Sequence, residues 1–107
     1  MGSVVEVTAT ATQMGAFWSV SVQTVISWNP TVESHSQYMG FPKAQCRTST
    51  GTAIGTAATL TLASVVSNTP TLTTHQYTGT ASVTSKPFDV DVSAQFMTIV
   101  HKSVTVP

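Results

Sequence analysis

The stretch AFWSVSVQTVISW, residues 16–28, alternates between two kinds of side chain over its whole length. One set is mostly apolar with a tryptophan at each end, and it comprises Trp18, Val20, Val22, Thr24, Ile26 and Trp28. The other set is mostly small and hydroxylated, and it comprises Phe17, Ser19, Ser21, Gln23, Val25 and Ser27. Because successive side chains of a strand point to opposite faces, this period of two predicts a long β-strand with one buried face.

The apolar stripe is long for the core of so small a domain. We therefore expect Val20 to Ile26 to lie inside the domain, and one tryptophan to lie near its rim. Tryptophan is enriched both in cores and at protein interfaces. Trp18 and Trp28 are accordingly candidate contact residues at the ends of the strand.

The rest of the chain has the same texture, with Val and Thr alternating between turn signals. Besides residues 16–28, the segments that we interpret as strands are 4–12, 45–50, 56–66, 71–84, 88–93 and 95–106. The segment 56–66 also fits a helix, but its threonine-rich flanks favour a strand. The segment 71–84 fits either one strand kinked near Gly79 or two strands. In the segment 88–93 we expect Phe88, Val90 and Val92 to point inward. Six to eight such strands predict an all-β fold, either a single-domain antiparallel β-sandwich or a small barrel.

The length of 107 residues suits one domain, which we take to span residues 1–107. Its least periodic part is residues 29–55, which we interpret as a long loop or insertion containing a short strand around 45–50. Loops of this length are usually functional or part of an assembly contact. Tyr38, Met39 and Phe41 are the candidate apolar anchors for a partner in this loop, since buried aromatic and methionine side chains dominate protein contacts.

Charge is scarce in this chain, because only 7% of the residues are Asp, Glu, Lys or Arg and the net charge is zero. Nucleic-acid binding requires clustered Lys and Arg, and attraction to anionic membranes requires a polybasic segment. The composition therefore predicts neither nucleic-acid nor membrane partners. A neutral surface rich in hydroxyls, with 20 Thr and 13 Ser, suits a protein within an assembly or a dilute extracellular protein.

No motif of catalysis, cofactor binding or metal binding is present, so we expect no enzyme activity, cofactor or metal site. The three histidines, His35, His75 and His101, have no partner at metal-ligand spacing. Asp89 and Asp91 are better explained as solvent-facing charges on a strand than as a calcium site. Cys46, the single cysteine, has no partner for an internal disulfide. Residues 1–6 lack the pattern of a signal peptide.

In composition over its whole length, the chain resembles small β-rich structural proteins of virus particles, especially decoration or cement proteins of bacteriophage heads. The low charge and the absence of a disulfide staple carry this resemblance, and no individual residue does. It implies a non-enzymatic, homo-oligomeric protein in the virion, assembled in the host cytoplasm. Its partners would be other virion proteins, such as the major capsid protein, and copies of itself. A further alternative is a phage tail or fibre component, which would also act through contacts within the particle and would differ only in its location.

The alternative from a different class is a carbohydrate-binding or adhesin-type β-sandwich, acting outside the cell. In that case Trp18 or Trp28 would form an exposed sugar-stacking platform with Tyr38 and Tyr77. The solvent exposure of these rings distinguishes the two hypotheses.

Overall fold

The computed structural model describes residues 4–32, 42–96 and 99–107, which contain eight β-strands and no helix. The strands are β1 Val4–Met14, β2 Phe17–Trp28, β3 Lys43–Arg47, β4 Ala53–Thr59, β5 Thr61–Asn68, β6 Thr73–Val83, β7 Phe88–Gln95 and β8 Ile99–Val106. The all-β class expected from the Val/Thr alternation is confirmed.

The strands form two four-stranded antiparallel sheets that pack face to face as a sandwich. Sheet I has the order β1-β2-β6-β5, and sheet II has the order β4-β3-β7-β8. Of the two architectures expected, the sandwich is therefore correct. Each sheet turns one face to the shared core and the other to solvent, as the period of two requires.

The core-facing stripe of β2 lies in the middle of sheet I, between β1 and β6. Val20, Val22 and Ile26 are buried as predicted, and so is Thr24. The Thr24 hydroxyl donates a hydrogen bond of 2.7 Å to the backbone carbonyl of Glu6 on β1. This bond compensates for burying a hydroxyl among apolar side chains, which would otherwise be costly.

Sheet II supplies the other half of the core through β7 and β3. Phe88, Val90 and Val92 are buried as predicted, and on β3 Ala44 and Cys46 are buried beside them. The alternation on β7 is strict because this strand lies between β3 and β8, with one face on the core and one in solvent.

The segment 56–66, predicted as one strand, contains parts of two strands that belong to different sheets. β4 ends at Thr59 in sheet II and β5 begins at Thr61 in sheet I, so the chain changes sheet at Leu60. Leu60 is fully buried, and its N–H donates to the Pro42 carbonyl at 2.8 Å. The helical alternative is therefore wrong, and the segment 71–84 contains a single strand, β6.

Within the stretch interpreted as a loop at 29–55, the structure places β3 at Lys43–Arg47, close to the short strand expected around 45–50, and the beginning of β4. A tight connection joins these strands, in which the Thr48 N–H donates to the Thr52 carbonyl and Gly51 has a positive φ of 93°. Five residues of strand followed by such a turn are too short to show a clear period. Of the strand expected at 95–106, Gln95 is the last residue of β7, and β8 spans Ile99–Val106.

Candidate functional site

The two tryptophans of β2 have different environments. Trp28 is only 5% exposed, and its ring makes edge contacts with His75 and Phe96 at centroid distances of 4.9 and 5.9 Å. Trp18 is half-buried, and the Lys86 Nζ lies 4.0 Å from the centroid of its ring. The expectation that one tryptophan lies near the rim is confirmed for Trp18, whereas Trp28 is a core residue.

The aromatic sugar platform is not formed by the described residues. Tyr77 is fully buried, and its hydroxyl lies 3.1 Å from the His75 Nδ1. Burial raises the pKa of the Tyr77 phenol above its ordinary value. With Trp28 also buried, Trp18 is the one described member of that platform with an accessible ring. Tyr38, Met39 and Phe41 lie outside the described residues.

Three exposed apolar side chains lie along β5, which is an edge strand of sheet I. We call them the β5 overhang; they are Leu62, Val65 and Val66, and they are 37%, 51% and 62% exposed. Leu62 pairs with Tyr77 and Val65 with His75, so these two lie on the core-facing side of the sheet. Their exposure shows that the core does not extend fully over the inner face of β5.

The β5 strand has few of the features that protect edge strands from association. Its sequence TLASVVSN contains no charged residue and no proline. Its register with β6 shifts between Leu62 and Ser64 and again between Val65 and Ser67. Such bulges hinder the addition of a further strand to the edge. The exposed side chains, rather than the backbone of this edge, are therefore the feature available for contact.

The outer face of sheet I carries a second feature, an open depression of about 420 Å³. Polar, uncharged side chains from β1, β2 and β6 line it, and we call them the hydroxyl face: Thr8, Thr10, Ser21, Gln23, Thr78 and Thr80. Strand register places them in two rows, Thr8–Gln23–Thr78 and Thr10–Ser21–Thr80. Thr61 of β5 extends the first row beyond Thr78.

The outer face of sheet II is chemically different, because charged groups on it bind one another. The Asp91 Oδ2 lies 3.7 Å from the Arg47 Nε and 3.3 Å from the His101 Nδ1. The Ser103 hydroxyl donates to the other oxygen of Asp91 at 3.4 Å. Asp89 accepts a 2.8 Å hydrogen bond from the hydroxyl of Thr105 on the neighbouring strand. These contacts agree with the interpretation of Asp89 and Asp91 as solvent-facing strand charges.

Neither a nucleophile nor a metal centre emerges from the described residues. Cys46 is buried, and desolvation raises the pKa of its thiol, which disfavours the reactive thiolate. The neighbouring Arg47 points to the opposite side of β3, towards Asp91. Within residues 4–32, 42–96 and 99–107, no three His, Cys, Asp or Glu side chains are grouped as a metal site would need.

Comparisons with protein-family models, with curated proteins and with solved structures find no match to this chain. No helix among the described residues is long and apolar enough to cross a membrane.

Sequence reasoning missed the β5 overhang and anticipated part of the hydroxyl face. The small, hydroxylated side of β2 is visible in the alternation of residues 16–28. Its extension onto β1 and β6 follows from strand order and register, which a single sequence does not specify. Leu62 and Val65 have the spacing of ordinary core residues once the bulge between them is counted, so their exposure gives no sequence signal.

Proposed function

We propose that this protein is a non-enzymatic structural component of a larger assembly and acts through protein–protein contacts made by the β5 overhang. The observation that carries the proposal is the row of exposed apolar side chains at Leu62, Val65 and Val66. Exposed apolar groups that cluster along one edge are typical of interaction surfaces.

The chemistry of β5 favours a protein partner with an apolar surface. Burying apolar area contributes about 25 cal/mol per Å², and β5 has no charged side chain that would lose hydration in the contact. The contact is therefore expected to be made by the exposed side chains, because the bulges hinder pairing of a further strand with the backbone of β5. A copy of the same chain or another subunit of similar character fits this description.

The assembly that we propose is a virus particle, in which the protein serves as a capsid decoration or cement protein. The support is the composition, with zero net charge and only 7% charged residues, together with the resemblance to phage head proteins. Low net charge reduces the repulsion that keeps subunits apart. Its partners are then the major capsid protein and copies of itself.

The test is the solution mass of the purified protein, measured by size-exclusion chromatography with light scattering over a wide concentration range. We expect the mass to rise above the 11.2 kDa of one chain as concentration increases. The substitution Val65→Lys places a charge in the overhang and is expected to keep the protein monomeric. Ser64→Lys adds the same charge to the opposite side of β5 and serves as the matched control.

Three outcomes would count against the proposal. A monomer at every concentration contradicts self-association. Association that Val65→Lys leaves unchanged places the interface elsewhere, and association that both lysine variants abolish shows an effect of charge alone. Thermal unfolding of each variant confirms that it is folded.

A further inference from the structure

We infer that the hydroxyl face of sheet I binds a neutral carbohydrate, a chain of uncharged sugar units laid across β1, β2 and β6. This inference rests on a different surface from the β5 overhang and does not depend on the proposed function. It also differs from an aromatic sugar platform, since Trp28 and Tyr77 are buried in the core.

Strand register arranges the polar side chains of the hydroxyl face in two parallel rows. Thr8, Gln23 and Thr78 are direct cross-strand neighbours, and Thr10, Ser21 and Thr80 form the adjacent row. Neighbouring strands are about 4.8 Å apart, and alternate residues along one strand about 6.7 Å. Polar atoms therefore recur at intervals short enough for several of them to contact one extended ligand.

The side chains of the hydroxyl face differ in hydrogen bonding from those on the outer face of sheet II. None of the six side chains of the hydroxyl face has a hydrogen bond to another described side chain or backbone group, whereas Thr61 at its border donates to the Thr78 carbonyl. On the outer face of sheet II, Asp89, Asp91 and Gln45 are bonded to their neighbours. The depression thus presents donors and acceptors that the fold itself does not use.

The chemistry of the hydroxyl face suits a neutral, hydroxylated ligand. The six side chains carry no charge, so they offer neither a counter-ion for phosphate or carboxylate nor a carboxylate to hold a hard cation. Protein interfaces are depleted in serine and enriched in aromatic residues, the reverse of this lining. Hydroxyl and amide groups both donate and accept hydrogen bonds. The hydroxyls of a neutral sugar have the same dual character.

Phe17 adds an apolar group beside the depression, although it does not belong to the lining. It lies on the same side of β2 as Ser21 and Gln23, with Ser19 between, and it is 43% exposed. An aromatic ring at the end of a hydroxylated groove can stack on the apolar face of a sugar ring, while the polar floor orients the hydroxyls. We therefore expect Phe17 to contact the sugar units that lie nearest the row Thr10–Ser21–Thr80.

The experiment measures binding to a defined panel of neutral oligosaccharides by isothermal titration calorimetry. The probes are cellohexaose, maltohexaose, xylohexaose, mannohexaose and chitohexaose. We expect binding to at least one of them, with little dependence on salt concentration because the site has no charge. An absence of binding to all five would overturn the inference.

The variants test whether binding occurs at this face. Ser21→Val removes the central hydroxyl and narrows the depression, and we expect the affinity to fall about tenfold or more. Ser93→Val is the matched control, since Ser93 occupies the outer face of the central strand β7 in sheet II. Equal losses in the two variants, or none in Ser21→Val, would show that the sugar binds elsewhere.

The same titration in the Val65→Lys background separates this inference from the proposed function. The hydroxyl face is retained in that variant, so sugar binding is expected to persist when self-association is lost. Sugar binding without association would contradict only the proposed function, and association without sugar binding would contradict only the inference made here.

Discussion

At the residue scale, the most constrained contact is between Leu60 and Gly79. Leu60 is the single residue between β4 and β5, and its side chain enters the core at a point where β6 carries a glycine. A Cβ atom at Gly79 would lie 2.5 Å from the Leu60 Cδ2. The backbone of Gly79 does not have a positive φ, so the need for glycine is steric rather than conformational.

We predict that Gly79→Ala destabilises the protein by about 1–3 kcal/mol, because the buried Leu60 side chain has little room to move away. Urea unfolding followed by circular dichroism measures the change. Leu60→Val shortens the opposing side chain, so Gly79→Ala should cost less in that background than in the wild type. An equal cost in both backgrounds would show that the contact is not the cause.

At the element scale, β2 joins a buried end at Trp28 to a half-exposed end at Trp18. We predict that Trp18→Phe leaves blue-shifted fluorescence that acrylamide quenches poorly, since Trp28 then reports from the core. Trp28→Phe leaves emission from Trp18, which should be red-shifted and more readily quenched. Equal quenching in the two variants would be inconsistent with this structure.

The sequence predicted those elements that have one face in the core and one in solvent. The faces of β2 and β7 follow directly from the alternation around Val22 and Val90, because burial and exposure there change with every residue. The sequence did not predict that the chain changes sheet at Leu60, because the threonine- and alanine-rich composition continues from β4 into β5 without a turn signal. The exposure of Val65 depends on how far the opposite sheet extends, which is a property of the assembled sandwich.

For the whole molecule, the two outer faces differ in chemistry. Sheet II presents bonded charges around Asp91, and sheet I presents uncharged hydroxyls around Ser21. Among the described residues, Glu6 is the one charged group on the outer side of sheet I. Such segregation leaves two separate contact surfaces on sheet I, the hydroxyl face on its outer side and the overhang at its β5 edge.

The sandwich as a whole should lose stability at alkaline pH. Burial raises the pKa of the Cys46 thiol in sheet II and of the Tyr77 phenol in sheet I, so the native state retains protons that the unfolded state releases. The two protonated groups make their full contribution to the free energy of unfolding below their ordinary pKa values, which are about 8.5 for the thiol and 10 for the phenol. This contribution decreases as the pH rises through these values and above them. We therefore predict that the free energy of unfolding begins to decrease near the ordinary pKa of the thiol and continues to decrease above that of the phenol.

Urea unfolding at constant ionic strength from neutral to strongly alkaline pH measures this dependence. Cys46→Ala removes one of the two groups, and we expect a shallower decline with pH in that variant, whatever its stability at neutral pH. A free energy of unfolding that stays constant or rises across this range would contradict the prediction.

The sheet change at Leu60 also sets where the gene can accept extra codons. A residue inserted beside Thr59 would shift β5 by one position, so that Thr61 would turn towards the core and Leu62 towards solvent. An insertion in the turn between Thr48 and Thr52 has no such effect, because the strands on both sides keep their pairing. Length variation in this protein should therefore concentrate at that turn and be excluded from the junction at Leu60.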